Sequence, residues 1–388
     1  MKKLFISFLL VFNVLIGFSQ IKTGAECIDK YIPLLLNKQV AVCCNQTSVI
    51  GNIPTIDTLL SLGVNICAIF SPEHGFRGEA EAGAIIHSDK DPKTGISIYS
   101  LYGKTKKPTP EQLKNVDIII FDMQDVGCRF YTYISTLHYV MEATAEANIE
   151  LIILDRPNPN GYFVDGPVLD TAFRSFVGMH PIPIVHGMTI GEYGLMINGE
   201  GWLKNGIQCH LTVIRMDNWE HRMRYNLPIK PSPNLPSTES IYLYPSLCLF
   251  EGTPVSIGRG TEKPFQIFGH PLLEGTFRFT PKVIHGVSEN PPQVGKLCYG
   301  MDLTAYARQH LESDNHVDVS YLIETYRKLS PQLEFFQKSQ FDRLAGSSQL
   351  RGQITAGMTA QQIYASWQEP LNLFKKIRSK YLLYPDFE

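Results

Sequence analysis

No C-x-x-C pair occurs among the eight cysteines, which stand at 27, 43, 44, 67, 128, 209, 248 and 298. That removes the zinc-knuckle and thioredoxin-type readings. No G-x-G-x-x-G follows the first apolar run, and no G-x-x-x-x-G-K-[ST] occurs anywhere, so dinucleotide and P-loop nucleotide chemistry lose their main signature. A compact H-E-x-x-H zinc motif is also missing. Charge of one sign is not in excess: 35 Lys and Arg face 37 Asp and Glu, a net charge of −2, which offers no footprint for nucleic acid or a lipid surface. Internal repeats and low-complexity tracts are absent. With 44% hydrophobic and 19% charged residues, the chain has the composition of a soluble globular protein.

What is present begins with MKKLFISFLLVFNVLIGFSQ. Lys2 and Lys3 precede an apolar stretch, Leu4 to Phe18, and small residues follow at Gly17 and Ser19. This is the order of a secretory signal peptide, too short for a stable membrane span. The expectation is export across the inner membrane to a periplasmic location, with cleavage near Ser19–Gln20. An uncleaved anchor is the rival. Cys27 lacks the small and apolar residues expected ahead of a lipidated cysteine. An oxidising compartment permits disulfides, but spacing does not say which form. Cys43, Cys44 and Cys67 sit in apolar runs, where cysteine acts as a small hydrophobe.

The remaining length favours two domains. Val40–Cys44, Asn65–Phe70, Asp117–Phe121, Glu150–Leu154 and Ile182–Val185 read as strands, short and rich in Ile, Val and Cys, as when both faces are covered. Helices are expected over Ile56–Leu62, Pro110–Lys114, Thr132–Ala147 and Thr189–Lys204. The alternation predicts an α/β domain with a mostly parallel sheet. His210–Met216 reads as a further strand, with antiparallel pairing at an edge as one option. From about Leu272 the texture changes to mixed strands and amphipathic helices, so a boundary is expected near 270.

Polar residues gather where the strands end. Asn45, Gln46 and Thr47 follow the first, and Glu73, His74 and Arg77 follow the second in "SPEHGFRG". The third leads into "DMQDVGCRFYTY", with Asp122, Gln124, Asp125 and Arg129. Asp155, Arg156, Asn158 and Asp165 follow the fourth, and His186 the fifth. Open α/β sheets bind ligands outside the carboxyl ends of their strands, so this edge is the expected site. Each residue also has a plainer reading. Asp155 beside prolines can simply form a turn. Asp122 and Asp125 can pair with Arg129, His186 can be a satisfied core histidine, and Thr189 with Glu192 fits a capping box.

Glu73 is the hardest to dismiss. Pro72 fixes the backbone before it, and Gly75 and Gly78 permit a tight loop. Arg77 and a charged His74 would lower its pKa, whereas Phe70 and Phe76 would raise it by desolvation. A carboxylic acid poised near neutrality is what protonating a leaving-group oxygen requires. Two other readings compete. Asp122, Asp125, Asp155, His74 and His186 could converge on a divalent ion in a metal-dependent hydrolase. A two-domain cleft could instead belong to a non-catalytic periplasmic sugar-binding protein.

The motifs "SPEHGFRG", "DMQDVGCRFYTYISTL", "LDRPNPNG", "DGPVLD", "SFVGMHPIPIVHGMTIGE" and "EGTPVSIGRGTEKPF" resemble the exo-β-N-acetylmuramidase family, over essentially the whole mature chain. The resemblance implies a glycoside hydrolase that releases N-acetylmuramic acid from the non-reducing ends of peptidoglycan fragments. Its partners would be peptidoglycan-derived saccharides or muropeptides, without a cofactor or metal. It implies a signal peptide at 1–19, a Rossmann-like domain at 20–270 and a smaller α+β domain at 271–388, with the site in the cleft between the domains. The family's catalytic glutamate falls on Glu73. Asp122 or Asp125 would be the second carboxylate or would stabilise the oxocarbenium-like transition state. His74 and His186 would orient carboxylates or the acetamido group. Arg77, Arg129, Arg156 and Arg259 are the candidates for the lactyl carboxylate of muramic acid. Asn45, Asp155 and Asn158 complete the substrate-binding set.

Overall fold

The structure is a computed structural model that describes residues 20–72, 89–103, 105–310 and 316–388. Strand formation in the first half follows from β-branched and small apolar residues that alternate between two buried faces. In β1 (Gln39–Cys44), Val40, Val42 and Cys44 join one core and Ala41 and Cys43 the other. The hairpin of β2 (Val49–Ile50) and β3 (Ile53–Pro54) leads into helix Thr55–Ser61 and then β4 (Asn65–Ser71). Next come β5 (Asp89–Lys90), β6 (Ser97–Ser100), β7 (Ile118–Asp122), β8 (Glu150–Leu154) and β9 (Leu211–Ile214).

These strands form one sheet of order β5-β6-β4-β1-β7-β8-β9, in which only β5 runs antiparallel. Helices Ile28–Leu35 and Thr55–Ser61 cover the first face through Tyr31, Leu35, Ile56 and Leu59. Helices Tyr133–Ala147 and Ile190–Gly199 cover the second through residues such as Leu137, Met141, Tyr193 and Ile197. This second core runs on without a break into the C-terminal part, to Trp367 and Phe374. There a smaller antiparallel sheet, β10 (Ile267–His270), β12 (Cys298–Asp302) and β11 (Phe277–Phe279), packs with helices that include Ser320–Leu329 and Ala360–Arg378.

Two expectations are corrected. Ile182–Val185 is not a sheet strand; Val185 makes only isolated bridges to Cys128 and Asp165. Pro181 and Pro183 remove alternate amide donors there, and a central strand cannot spare them. His210–Met216 does contain an edge strand, but β9 pairs with β8 in parallel. All eight cysteines carry free thiols, seven of them buried.

Because β1 has β4 on one side and β7 on the other, the chain changes winding direction there. The carboxyl ends of β1 and β7 therefore flank the crevice in which such sheets bind ligands.

Candidate active site

The loop after β1 is built by Asn45. Its Oδ1 accepts from the Thr47 amide at 2.9 Å and the Thr47 hydroxyl at 2.6 Å, closing an Asx-type turn. Its Nδ2 donates to Tyr133 Oη at 2.7 Å, which ties the strand end to the first residue of a helix. Phe70 of β4 pairs with Cys43, so the two strands leave the sheet side by side. Glu73, His74 and Arg77, which come next, lie outside the described residues.

Asp122, at the end of β7, is fully buried. Oδ1 accepts from Arg156 Nε at 2.6 Å and Oδ2 from Thr55 Oγ1 at 2.6 Å. The Ser48 hydroxyl donates to its main-chain oxygen. Burial works against the Arg156 charge, but Asp122 outweighs it and the guanidinium pKa is displaced upward. The expected pairing of Asp122 and Asp125 with Arg129 does not occur. A turn through Gly127 at φ 76° breaks the helical spacing that the pairing assumed. Arg129 is fully buried and donates to three main-chain oxygens, of Pro167, Ile182 and Leu344, at 2.7–2.8 Å. It clamps the N-terminal loops to the C-terminal part, and desolvation lowers its pKa to about 9.

Asp125 sits beside His186, both buried. Asp125 Oδ2 accepts from the Gly127 amide at 2.7 Å and lies 3.8 Å from His186 Nε2. Among the described residues neither Asp125 Oδ1 nor His186 Nε2 has a hydrogen-bond partner. Desolvation pushes the Asp125 carboxyl up to about 7 against the pull of the Gly127 and Val126 amides. It drives His186 down to about 3, helped by Arg378 and His221, so the imidazole is neutral. Asp155 belongs to a separate knot: it accepts from Thr189 Oγ1, the Gly191 amide and Tyr384 Oη at 2.6–2.8 Å. The Thr189–Glu192 capping box forms, with Thr189 N to Glu192 Oε2 at 2.9 Å. Asn158 is likewise internal, bonding Met188 O and the Asn160 amide. Of the residues in the metal reading, Asp122, Asp155 and the Asp125–His186 pair thus sit in separate hydrogen-bond networks, and His74 lies outside the described residues. Among the described residues no group of three His, Cys, Asp or Glu side chains is arranged to hold a metal ion.

Arg259 stands elsewhere, in the wall of a cavity shared by both parts of the chain. Tyr131, Tyr133 and Tyr244 line it with Phe265, Asn234 and Arg259. Tyr131 packs edge-on against Tyr133 and Tyr244, and Tyr244 against Phe265. Arg259 Nε and Nη2 both reach Glu251 Oε1, at 2.8 and 2.6 Å. Its Nη1 has no protein acceptor among the described residues, and its side chain is 23% exposed. Burial again opposes the charge and Glu251 outweighs it, raising the pKa. Asn234 donates to Val287 O at 3.1 Å and keeps a buried Oδ1 without a partner among the described residues. An acceptor, a guanidinium edge and aromatic faces in one cavity suit a sugar that carries a carboxylate.

Sequence reasoning passed over Tyr131, Tyr133, Asn234, Glu251 and Phe265. The usable signal was "GRG": Gly258 and Gly260 both have positive φ, near 80°, and fold the chain tightly around Arg259. Phe265 itself has φ 56°, uncommon for an aromatic residue.

The fold is that of an α/β protein whose smaller C-terminal part helps to line an aromatic cavity. The chain belongs to the exo-β-N-acetylmuramidase NamZ family, a family of glycosidases: its N-terminal model matches residues 40–239 and its C-terminal model residues 242–384. It is 41% identical to the peptidoglycan β-N-acetylmuramidase NamZ of Bacillus subtilis, covering 94% of this chain and 92% of that protein. Among solved structures it is similar to two DUF1343 family proteins of Bacteroides fragilis. One is 47% identical with a TM-score of 0.88, covering 95% of this chain and 100% of that one. The other is 31% identical with a TM-score of 0.78, covering 94% and 99%.

Proposed function

We propose that this glycosidase releases N-acetylmuramic acid from the non-reducing ends of peptidoglycan fragments, with the terminal muramic acid seated in the cavity of Arg259 and the tyrosines. The observation that carries this reading is the open guanidinium edge of Arg259 in an aromatic cavity. The chain's likeness to the peptidoglycan β-N-acetylmuramidase of Bacillus subtilis supports it. Glu251 occupies the Nε side of the guanidinium, so Nη1 is left for the lactyl carboxylate. Asn234 Oδ1 would accept from a sugar hydroxyl or the acetamido N–H.

Glu73 is the general acid. In the sequence it follows Pro72, directly after β4, the strand that pairs with β1. It protonates the glycosidic oxygen as the bond to the anomeric carbon breaks; water adds its hydroxyl to that carbon, and its remaining proton restores the acid. Asp122 and Asp125 act beneath the site, by holding the loops after β1 and β7. Arg129, enclosed by carbonyls, anchors the two parts of the chain rather than binding the lactyl group. Export to the periplasm belongs to the same reading, since peptidoglycan lies outside the inner membrane. Among the described residues no helix is long and apolar enough to cross a membrane.

The test is product analysis on defined fragments. Fragments ending in N-acetylmuramic acid at the non-reducing end should lose that sugar alone. Those capped by N-acetylglucosamine should stay intact. Internal cleavage, or release of N-acetylglucosamine, would overturn the proposal.

A further inference from the structure

A second cavity, of about 250 Å³, lies at the winding reversal between β1 and β7, and neither the comparisons nor the reading above assigns it. Thr47, Gln124 and Arg156, from the ends of β1, β7 and β8, form its floor, and Val49, Tyr225 and Ile229 its walls. We propose that it binds an N-acetylated sugar residue, recognised through its acetamido group by Arg156 and Gln124. The inference rests on the glycosidase reading for its choice of a sugar, and on the geometry for everything else.

Arg156 and Gln124 are both 5% exposed, and among the described residues each keeps one polar atom unmatched. Gln124 Nε2 donates to Asp125 O at 2.8 Å and Pro157 O at 2.6 Å. Carbonyls only accept, so the amide orientation is fixed and Oε1 is left to the cavity. Arg156 uses Nε on Asp122 and Nη2 on Val49 O at 3.1 Å; its Nη1 has no acceptor among the described residues. A donor and an acceptor that line one cavity can hold a secondary amide between them, its oxygen accepting from Nη1 and its N–H, on the opposite side of the planar group, donating to Oε1. Val49 and Ile229 offer an apolar surface for the methyl group, and Tyr225 a face for the ring.

Charge argues for a neutral ligand. Asp122 already balances Arg156 at 2.6 Å, and Glu26 also lines the cavity, so an anion would gain little. The volume suits one sugar ring, below the usual range for larger ligands. The neighbour is the aromatic cavity: Pro228 and Ile229 line this cavity and Ser232 and Asn234 the aromatic one. One loop therefore divides the two cavities, as adjacent sites on a glycan require.

The test is calorimetric titration of the full chain with N-acetylglucosamine, glucosamine and glucose, repeated on Ile229→Trp and Tyr225→Ala with thermal melts alongside. N-acetylglucosamine should bind about tenfold or more tightly than either sugar without the acetamido group. Both variants should weaken it about tenfold at unchanged melting temperature. Equal binding of the three sugars, no binding, or binding that both folded variants retain would overturn the proposal. Whether the wild type releases N-acetylmuramic acid is read in a separate assay, so the two failures are distinguishable.

Discussion

Glu251 Oε1 receives both Nε and Nη2 of Arg259, at 2.8 and 2.6 Å, and leaves Nη1 unclaimed. The pair fixes a planar fork in the wall of an aromatic cavity. Removing the cation by Arg259→Met should raise KM for a chromogenic muramic acid glycoside about 10- to 100-fold, the worth of a charge-assisted hydrogen bond. The matched N-acetylglucosaminide, hydrolysed poorly by both, should discriminate little between the two proteins. Glu251→Gln keeps the charge and loosens its orientation, so its effect should be smaller, about 5- to 10-fold, and also mainly in KM. Steady-state kinetics on the two substrates checks both.

The protonation of Asp125 gives a pH signature. Its native pKa is near 7, whereas the unfolded carboxyl titrates at its ordinary value of 3.8. Between these values the native state holds a proton that the unfolded state has lost, so this group makes stability fall as pH rises from about 4 to 7. His186, pushed down to about 3, contributes the opposite slope up to its unfolded pKa of 6.5. Asp125→Asn removes only the first. The difference in stability between variant and wild type should therefore grow in favour of the variant across that window, by a few kcal/mol at order of magnitude, and level off above pH 7. Urea unfolding at pH 4, 5.5 and 7.5 measures it.

At φ 56°, Phe265 should invert the usual ranking of small residues. Phe265→Gly and Phe265→Ala both lose the ring that packs against Tyr244, with centroids 4.8 Å apart. Only glycine accepts the left-handed backbone without strain. The alanine variant should be less stable than the glycine variant by about 1 kcal/mol, although alanine is normally preferred. Thermal melts of the two variants decide this.

The sheet was legible because β1, β7 and β8 are short, apolar and buried on both faces, which leaves strong local marks. Ile182–Val185 carries the same residues but fails on Pro181 and Pro183, whose missing amides count only when a ladder must form. Strand-end clustering pointed to the carboxyl edge of the sheet, where Asp122, Gln124 and Arg156 gather, yet pairings within it were misjudged. Asp122 finds Arg156, 34 positions away, instead of Arg129, seven away, because contact at that edge is made between strands and not along one helix. The aromatic cavity was invisible for a similar reason. Tyr131, Tyr244 and Phe265 come from three separate segments, and nothing in their local sequence marks them from the other aromatics.

The central claim is that Glu73 protonates the leaving oxygen when the terminal N-acetylmuramic acid departs. The most direct measurement compares Glu73→Gln with wild type on an N-acetylmuramyl disaccharide and on the dinitrophenyl glycoside of the same sugar, whose leaving group needs no proton. The account predicts a loss of about 10²- to 10⁴-fold in kcat on the disaccharide and a much smaller loss on the activated glycoside. Near wild-type turnover of the disaccharide by Glu73→Gln would contradict it.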